Sequence, residues 1–301
     1  MKLRLPATSA NLGSAFDAAA LALDVFLQIE ATSAEKFSIL ATGRDAAACS
    51  SLERNLIRET YEHVLEGQVA GARPLAMVAH NEIPLGMGMG SSAAARLAGI
   101  VFASEFGELA WSNERILQEA CRLEGHPDNA AACWLGGFVT AVDSPNGVMA
   151  ARFTPPVAWQ AIVVVPRRPL ATVQGRAVLP QLVSRVDAVA NLQRSALLTA
   201  AFAQGRGDWL REAMTDRLHQ PYRSKLCPLL PQMLPLAGRC GVLGVALSGA
   251  GPAVLLILES ADAAREAELA TNIHALAQEP VELISCGLSS PGAEELIVRS
   301  A

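Results

Sequence analysis

The chain lacks several features that would assign it to a familiar class of protein. No apolar run is long enough to cross a bilayer, and residues 1–10 lack the apolar core of a signal peptide. There is no C-x-x-C pair and no zinc-type grouping of cysteine with histidine, so the six cysteines are expected to be reduced thiols. These absences predict a cytoplasmic protein with no membrane partner.

Positive charge is also scarce. The 301 residues carry a formal net charge of −5, and binding to a nucleic acid backbone needs a basic face that displaces counterions. We therefore expect no nucleic acid partner, although a small anionic ligand can still be held locally. Aromatic residues are few (5%), but 51% of the residues are hydrophobic, which predicts a globular chain with a large aliphatic core.

The spacing of apolar residues and turn residues predicts an α+β fold with two layers in each half. Pro, Asn and Gly residues in the stretch Asp143–Pro156 indicate a connector, so we predict an N-terminal domain over 1–152 and a C-terminal domain over 153–301. The predicted strands are Leu21–Ala31, Leu75–Ala79, Trp159–Val165, Val242–Leu247 and Ala253–Leu258, and the predicted helices are Ala93–Phe106, Glu114–Glu124, Val186–Ala203 and Ala261–Ala277.

The most informative segment is Pro84–Ala95, which reads PLGMGMGSSAAA. Its glycines let the backbone approach a bulky ligand, and a helix that begins at the serines offers free amides and the positive end of its dipole to an anion. The loop lacks the lysine of a Walker A motif and the G-x-G-x-x-G spacing of a dinucleotide fold. A flexible turn with a serine cap on the helix from Ala93 onward is the alternative.

Three further segments carry polar residues in short stretches. Pro6–Asp17 reads PATSANLGSAFD and suits either a polar ligand or an ordinary capped turn. Ser248–Val254, reading SGAGPAV, is a small-residue turn between two predicted strands.

The third segment, EGHPDN at residues 124–129, begins with Glu124 on the apolar stripe of a predicted helix, near the helix C-terminus. A cation such as Mg²⁺ would offset both the burial and the unfavourable dipole. A glutamate that reaches solvent or pairs with an arginine is the alternative. Taken alone, His126 suits a satisfied loop histidine and Asp128 a cap of the next helix.

Together these segments resemble the family of galacto-, homoserine, mevalonate and phosphomevalonate kinases (GHMP kinases). The P-x-G-x-G-x-G-S-S loop is fairly specific, and PATSANLG with EGHPDN most resembles the homoserine kinase branch. The stretches TVQGRAVLP (172–180) and DRLHQPYR (216–223) support that branch. The resemblance implies a two-domain GHMP kinase fold with a ferredoxin-like C-terminal domain and an active site between the domains. The implied reaction is ATP-dependent phosphorylation of L-homoserine.

The resemblance also implies roles for individual residues. Catalytic roles fall to Asp17, Ser92, Glu124 and Asn129, and Mg²⁺ is expected on Ser92 and Glu124. ATP is expected to contact Pro84, Leu85, Gly86, Met87, Gly88, Met89, Gly90, Ser91, Ser92 and Ala93, with Asn55 near the adenine. The amino-acid alcohol is expected to contact Asn11, Asp17, His126, Asp128, Asn129, Thr172, Arg176, Arg223 and Gly249. The two arginines are expected to hold its carboxylate.

The sequence departs from the family pattern at Ser14, Ala15, Met87, Met89, Ala130 and Ala132. These changes leave the glycines, serines and carboxylates in place, so they bear on the alcohol more than on the nucleotide. A kinase of another small alcohol and a sensor that binds ligand without turnover therefore stay open, as does a homodimer. An asparagine at position 129 cannot act as a base, so the group that takes the hydroxyl proton is also open.

Overall fold

The computed structural model describes residues 1–66, 72–260 and 263–299 and has an α+β architecture, as the sequence predicts. The first half contains β1 (Lys2–Ala10), β2 (Ala19–Ser33), β3 (Ser38–Gly43), α1 (Ala46–Cys49), α2 (Leu56–Leu65), β4 (Leu75–Asn81), α3 (Ser91–Phe106), α4 (Asn113–Glu124), α5 (Asp128–Leu135), β5 (Phe138–Ser144) and β6 (Gly147–Phe153). The second half contains β7 (Trp159–Pro166), α6 (Thr172–Ala177), α7 (Arg185–Gln204), α8 (Leu210–Ala213), α9 (Gln220–Arg223), α10 (Leu229–Met233), β8 (Val242–Leu247), β9 (Val254–Glu259), α11 (Ala263–Leu276) and β10 (Val281–Gly287).

Each half is built around one sheet. In the first, the strand order is β3-β4-β2-β5-β6 with β1 also paired to the long strand β2, and only β3 and β4 run parallel. In the second, four antiparallel strands have the order β10-β7-β9-β8. With α7 and α11 in the two crossovers, the second half follows the β-α-β-β-α-β order of a ferredoxin-like domain, which confirms that prediction.

The second sheet is buried on both faces. Successive residues of β9 point to opposite sides, so Leu255 and Ile257 join the core shared with the first half, while Val254, Leu256 and Leu258 join a separate core. Aromatic rings also close the junction, because Phe202 stacks on Phe138 with ring centroids 4.0 Å apart. The two halves therefore share one continuous core.

The connection between the halves differs from the prediction. Asp143–Pro156 was expected to be a connector, but Gly147–Phe153 forms the edge strand β6, which pairs with β5 in register Ser144 to Gly147. The prediction was wrong because Ser144-Pro145-Asn146-Gly147 is the turn of a hairpin, and the edge strand is too exposed to show an apolar alternation. Residues 154–158 make the actual connection.

The chain end after β10 returns to the first sheet. Leu288 bridges to Leu23, and Val298 bridges to Lys2. We propose two domains, 1–152 and 153–301, a division that falls at the last residue of β6, directly before the connection at residues 154–158, with 288–298 packed back on the N-terminal half. The predicted helix Ala261–Ala277 corresponds to α11, although Ala261 and Asp262 lie outside the described residues. None of the helices in the described part of the chain has the length and apolar character needed to span a membrane.

Candidate active site

A cavity of about 650 Å³ lies where the two halves meet. One group of lining residues comes from β2 to β4, α1 and α2 and is mostly apolar: Leu27, Ile39, Ala48, Cys49, Leu56, Ile57, Ala79 and Ile83. The other group is polar and includes Asp17, His126, Asp128, Arg176 and Arg223. The glycine-rich loop spans the distance between them, since the Leu85 amide donates to Asp45 just before α1 while Gly88 packs against the turn at Ser248. Such a cavity suits a ligand with one flat apolar end and one charged end.

The glycine-rich loop has the backbone conformation that its sequence predicts. Gly86, Gly88 and Gly90 have φ values of 70°, 82° and 70°, which side chains with a Cβ rarely tolerate. Helix α3 begins at Ser91 with Gly90 as its N-cap, and no side chain caps it. The alternative of a serine cap before a helix from Ala93 is therefore wrong, because both serines lie inside the first turn.

Hydrogen bonds to its carbonyl oxygens hold the loop and leave a run of its amides without a partner among the described residues. The carbonyl oxygens of Gly86, Met87, Gly88 and Met89 accept hydrogen bonds from Leu170, Ala253, Ser248 and Thr8, at 3.1, 3.2, 2.8 and 3.1 Å. The amides from Gly88 to Ser92 have no acceptor among residues 1–66, 72–260 and 263–299. A row of free amides at the start of a 16-residue helix forms a site for a multiply charged anion.

We expect Gly88→Ala to disrupt this loop. A Cβ at position 88 would lie 2.2 Å from the Ser248 carbonyl oxygen and 2.9 Å from that of Gly251, and both contacts are backbone. Gly241→Ala is the matched control, since Gly241 has a φ of 79° but its nearest neighbour would be 3.9 Å away. Thermal unfolding should show Gly88→Ala about 2 kcal/mol less stable than Gly241→Ala, and its KM for ATP should rise. Equal losses in the two variants would mean that the loop relaxes around the new methyl group.

The first motif forms a tight turn against the Ser248–Val254 turn. Asn11 has a φ of 70° and donates from Nδ2 to the Gly249 carbonyl oxygen at 2.9 Å, while the Gly249 amide donates to Ala10 at 3.1 Å. The Asn11 Oδ1 accepts from the Asp17 amide at 2.9 Å. Asn11 thus orders the turn that presents Asp17 to the cavity.

Asp17 and Arg176 form a bidentate ion pair across the cavity wall. Arg176 Nη1 and Nη2 lie 2.9 and 2.7 Å from the two Asp17 carboxylate oxygens. The hydrogen bond to Asp17 raises the pKa of Arg176, so the guanidinium stays charged. Both residues were predicted from the sequence to contact the substrate, but their pairing with each other was not predicted.

Arg223 is a buried cation at the cavity wall. It is 1% exposed, and Nε donates to the Gly175 carbonyl oxygen at 3.0 Å while Nη1 contacts His219 Nδ1 at 3.1 Å and the Gly249 carbonyl oxygen at 3.3 Å. Burial, and then the nearby Arg176, lower the pKa of Arg223. Among the described residues, no carboxylate lies within 4 Å of it and Nη2 has no hydrogen-bond partner. The site therefore favours an anionic group beside Arg223.

Glu124 lies at the end of α4 beside the first turn of α3. Its side chain is 9% exposed, and Oε1 accepts a hydrogen bond from Ser92 Oγ at 2.7 Å. Arg96 Nε also lies 2.7 Å from Oε1 but is buried without a hydrogen bond, so the pair is electrostatic. Pairing with an arginine was the alternative to metal binding for Glu124, and the structure contains that pair.

The residues Ser92 and Glu124 nevertheless suit Mg²⁺. A hydroxyl and a carboxylate are hard oxygen donors, and Mg²⁺ at kinase sites is typically held by one or two such groups together with phosphate oxygens and water. Glu124 Oε2 accepts no hydrogen bond in the described part of the chain. The free amides from Gly88 to Ser92 lead into the first turn of α3, so a metal ion held by Ser92 and Glu124 would adjoin an anion held by these amides.

His126, Asp128 and Asn129 form a hydrogen-bonded group where α5 begins. His126 Nδ1 lies 2.6 Å from Asp128 Oδ1, and this hydrogen bond raises the pKa of His126. Asp128 is the first residue of α5 and also accepts from the Asn129 amide at 2.6 Å. Thr8 Oγ1 donates to Asn129 Oδ1 at 2.6 Å, which fixes the Asn129 side chain.

Asp17, His126 and Asp128 also offer ligand atoms within 4.8 Å of one another. Both oxygens of Asp17 already accept from Arg176, and one oxygen of Asp128 accepts from His126. This group is therefore not an open set of metal ligands.

Most of the residues predicted from the sequence line this cavity. They are Asn11, Asp17, Asn55, Leu85, Gly86, Gly88, Gly90, Ser91, Ser92, Ala93, Glu124, His126, Asp128, Asn129, Thr172, Arg176, Arg223 and Gly249. Pro84 and Met87 instead line a neighbouring pocket, and Met89 is buried in the core. Asn55 caps α2 by accepting from the Arg58 amide, so its side chain also has a local structural role.

The sequence interpretation missed several residues of the site. Arg96 follows Ser92 by four positions on α3, so its place on the same helix face was a usable signal. Thr8 and the apolar lining of the cavity had no such signal, because they come from strands and helices that only the fold brings together.

Comparisons with known proteins show which family the chain is similar to. The family model for the GHMP kinases N terminal domain matches residues 55–137, and the model for GHMP kinases C terminal matches residues 198–274. A homoserine kinase of Solibacter usitatus is 46% identical over 293 residues, covering 97% of this chain and 96% of that protein.

Solved structures share the fold. The crystal structure of homoserine kinase from Cytophaga hutchinsonii has a TM-score of 0.81 at 23% identity, covering 97% of this chain and 96% of that one. The L. major mevalonate kinase in complex with R-mevalonate has a TM-score of 0.71 at 15% identity, covering 97% of both chains.

Proposed function

The chain belongs to the GHMP kinase family, and we propose that it transfers the terminal phosphoryl group of ATP to the hydroxyl of L-homoserine. The product is O-phospho-L-homoserine, an intermediate of threonine biosynthesis. Homoserine kinases that are 35–46% identical over most of the chain support this reaction. The charges that line the cavity support the substrate independently of those names.

The choice of substrate rests mainly on the environment of Arg223. A guanidinium that is 1% exposed and has no acidic partner among the described residues is costly unless a ligand supplies the anion. The carboxylate of an amino acid matches it, and Arg176 lies close enough to lower the pKa of Arg223. Mevalonate also carries a carboxylate, so the amine of homoserine is the group that distinguishes homoserine from mevalonate.

The acidic side chains on the same wall suit the amine. Asp17 and Asp128 each present a carboxylate to the cavity, and their ligand atoms lie within 4.8 Å of one another. An ammonium group placed between them would donate to both. We propose that Asn11 and Asn129, with their fixed amide groups, and the lining residues Thr172 and Gly249 complete the contacts to homoserine.

The nucleotide is proposed to lie along the rest of the cavity. The free amides from Gly88 to Ser92 receive the phosphates, and the apolar side chains near α1 and α2 enclose the base, with Asn55 at that end. Ser92 and Glu124 would hold Mg²⁺, which neutralises charge on the transferred phosphoryl group when it is bound.

Positioning and electrostatic stabilisation are the main contributions of the chain to catalysis. Phosphoryl transfer passes through a loose transition state, so a strong base is not required when the hydroxyl and the phosphate are held in line. Asn129 cannot take a proton, and both Asp17 oxygens accept from Arg176. We propose that the hydroxyl proton leaves late, to Asp17 or to the phosphate itself.

We also propose a cytoplasmic location and a homodimer. The six cysteines are free, as expected in a reducing compartment.

Val186, Val189 and Leu192 are exposed at successive turns of α7, and an apolar stripe of this kind favours association. Light scattering on the purified protein measures the oligomeric state directly.

A coupled ADP-release assay over homoserine, threonine, serine, mevalonate and galactose tests the substrate. We expect kcat/KM for L-homoserine to exceed that for every other alcohol by at least about a hundredfold, because mevalonate and galactose lack the amine, and serine and threonine carry the hydroxyl one carbon closer to it. Turnover of another alcohol with none of homoserine would replace the substrate. Tight ATP binding with no turnover of any alcohol in the presence of magnesium would indicate a sensor instead of an enzyme.

A further inference from the structure

His219 is a fully buried histidine that lies outside the direct wall of the cavity. It is 0% exposed and immediately precedes α9, where its amide and that of Gln220 donate to Asp216 Oδ2 at 2.9 and 2.6 Å. Asp216 is held in turn by Asn191 Nδ2 at 2.7 Å. The backbone at position 219 is therefore rigid, and the ring has a defined direction.

The ring joins two parts of the substrate site that are far apart in the sequence. Nε2 lies 2.7 Å from the Gly13 carbonyl oxygen, and Nδ1 lies 3.1 Å from Arg223 Nη1. A carbonyl can only accept and a guanidinium can only donate, so Nε2 carries the proton and Nδ1 is the acceptor. His219 is thus neutral and in one tautomer.

These contacts leave one nitrogen of the Arg223 guanidinium, Nη2, available to a ligand. The carbonyl oxygens of Gly175 and Gly249 and the His219 ring accept from Nε and Nη1, whereas Nη2 has no partner in the described part of the chain. Phe16 packs on the same group, because its ring stacks on His219 at 5.2 Å and lies 5.3 Å from Arg223 Cζ. Rotation of the guanidinium would break hydrogen bonds on two sides.

We propose that His219 is a positioning residue for substrate recognition. By linking the Gly13 backbone to Arg223 Nη1, it fixes the orientation in which Nη2 meets the carboxylate of the substrate. The same link holds the Asn11–Asp17 turn in a fixed position relative to Arg223. This role rests on the proposed function, since it assumes that the ligand beside Arg223 is a carboxylate.

The electrostatics agree with the geometry. Burial lowers the pKa of His219, Asp216 opposes that effect and Arg223 adds to it, so the ring stays neutral in the folded protein. Protonation would remove the acceptor at Nδ1 and place a second cation against Arg223. A neutral ring instead supports the guanidinium without neutralising it, which leaves the full charge for the ligand.

The kinetic test compares His219→Leu with His219→Gln. Leucine loses both hydrogen bonds, whereas a glutamine amide can donate to Gly13 and accept from Arg223. For His219→Leu we expect the KM for L-homoserine to rise at least about tenfold, because a hydrogen bond to a charged group is lost. The KM for ATP should change by less than about twofold. His219→Gln should recover most of the loss, and His274→Leu, on the exposed face of α11, should have no effect.

A substrate without a carboxylate separates positioning from general damage. The amino alcohol 3-aminopropan-1-ol has the amine and the hydroxyl of homoserine but no carboxylate. Its kcat/KM should be unchanged in His219→Leu, so that the preference for homoserine falls. Equal losses for both alcohols, or an equal rise in the KM for ATP, would overturn the proposal. If His219→Leu does not fold, His219→Gln takes its place in this test. We then expect the preference for homoserine over 3-aminopropan-1-ol to fall in His219→Gln, but by less than the fall expected for leucine.

Nitrogen NMR of the histidine rings gives a readout that needs no substrate. We expect the His219 signals to show a ring protonated at Nε2 and predominantly neutral at the ordinary histidine pKa of about 6.5, where an unperturbed histidine is half protonated. A protonated ring, or a proton on Nδ1, would overturn the proposal whatever alcohol is phosphorylated. The expected ring state together with no turnover of homoserine would instead count against the proposed function alone.

Discussion

Glu124→Ala is expected to abolish magnesium-dependent turnover, with kcat falling by at least about a thousandfold. Glu124 is the only carboxylate that contacts Ser92 in the described structure, where Oε1 accepts from Ser92 Oγ at 2.7 Å. If Glu124 holds Mg²⁺ as proposed, the metal would lose its charged protein ligand, and the transferred phosphoryl group would lose charge neutralisation. ADP release measured over a magnesium titration checks the result, and Glu124→Gln should behave similarly with less disturbance of Arg96.

Glu119→Ala is the matched control for this loss. Glu119 lies on the same helix, is 5% exposed and pairs with Arg115 and Arg122, so its removal also takes a buried carboxylate from an arginine. We expect Glu119→Ala to lower the thermal stability but to keep the wild-type dependence on magnesium. If Glu124→Ala keeps wild-type turnover at limiting magnesium, Glu124 is not a metal ligand and its role is the ion pair with Arg96.

Arg223→Ala is expected to raise the KM for L-homoserine about a hundredfold while the KM for ATP stays nearly unchanged. The substitution removes a buried cation that has no acidic partner among the described residues, so the carboxylate of the substrate would be left with Arg176, which is already paired with Asp17. Steady-state kinetics with each substrate varied in turn measures both constants. Arg223→Lys should recover only part of the loss, because an ammonium keeps the charge but not the planar fork.

Arg217→Ala provides the control for Arg223→Ala. Arg217 lies in the same segment, but it is exposed and pairs with Asp187. We expect its removal to leave both KM values near those of the wild type, since exposed ion pairs contribute little. A similar rise in the KM for homoserine and in the KM for ATP after Arg223→Ala would contradict a role in carboxylate binding.

Regular elements with a clear apolar period were predictable from the sequence. Helices α3, α4 and α7 and strands β7, β8 and β9 lie within two residues of their predicted bounds, because stripes or runs of apolar side chains mark them in the sequence. Strands β1, β3, β5, β6 and β10 were not predicted. Three of them, β3, β6 and β10, lie at the edges of their sheets, where exposed side chains weaken the alternation.

The candidate site was predictable where one short segment carries its own chemistry. The glycine-rich loop, Glu124 and the His126–Asn129 group were found because their residue types and spacing are local. Contacts between distant segments were not predictable from the sequence. Asp17 and Arg176 are 159 residues apart, and His219 and Gly13 are 206 residues apart. His219 was part of a motif noted in the sequence, but only the fold shows that it supports the arginine four positions later.

Phosphorus NMR of the product tests the central claim most directly. The purified protein is incubated with ATP, magnesium and L-homoserine, and the transferred phosphorus is correlated with the protons of the carbon that carries it. We expect a phosphate monoester on the side-chain oxygen of homoserine, formed in step with ADP. Absence of that ester while ADP accumulates, or its formation on another alcohol in preference to homoserine, would contradict the assignment of this cavity to an amino-acid alcohol.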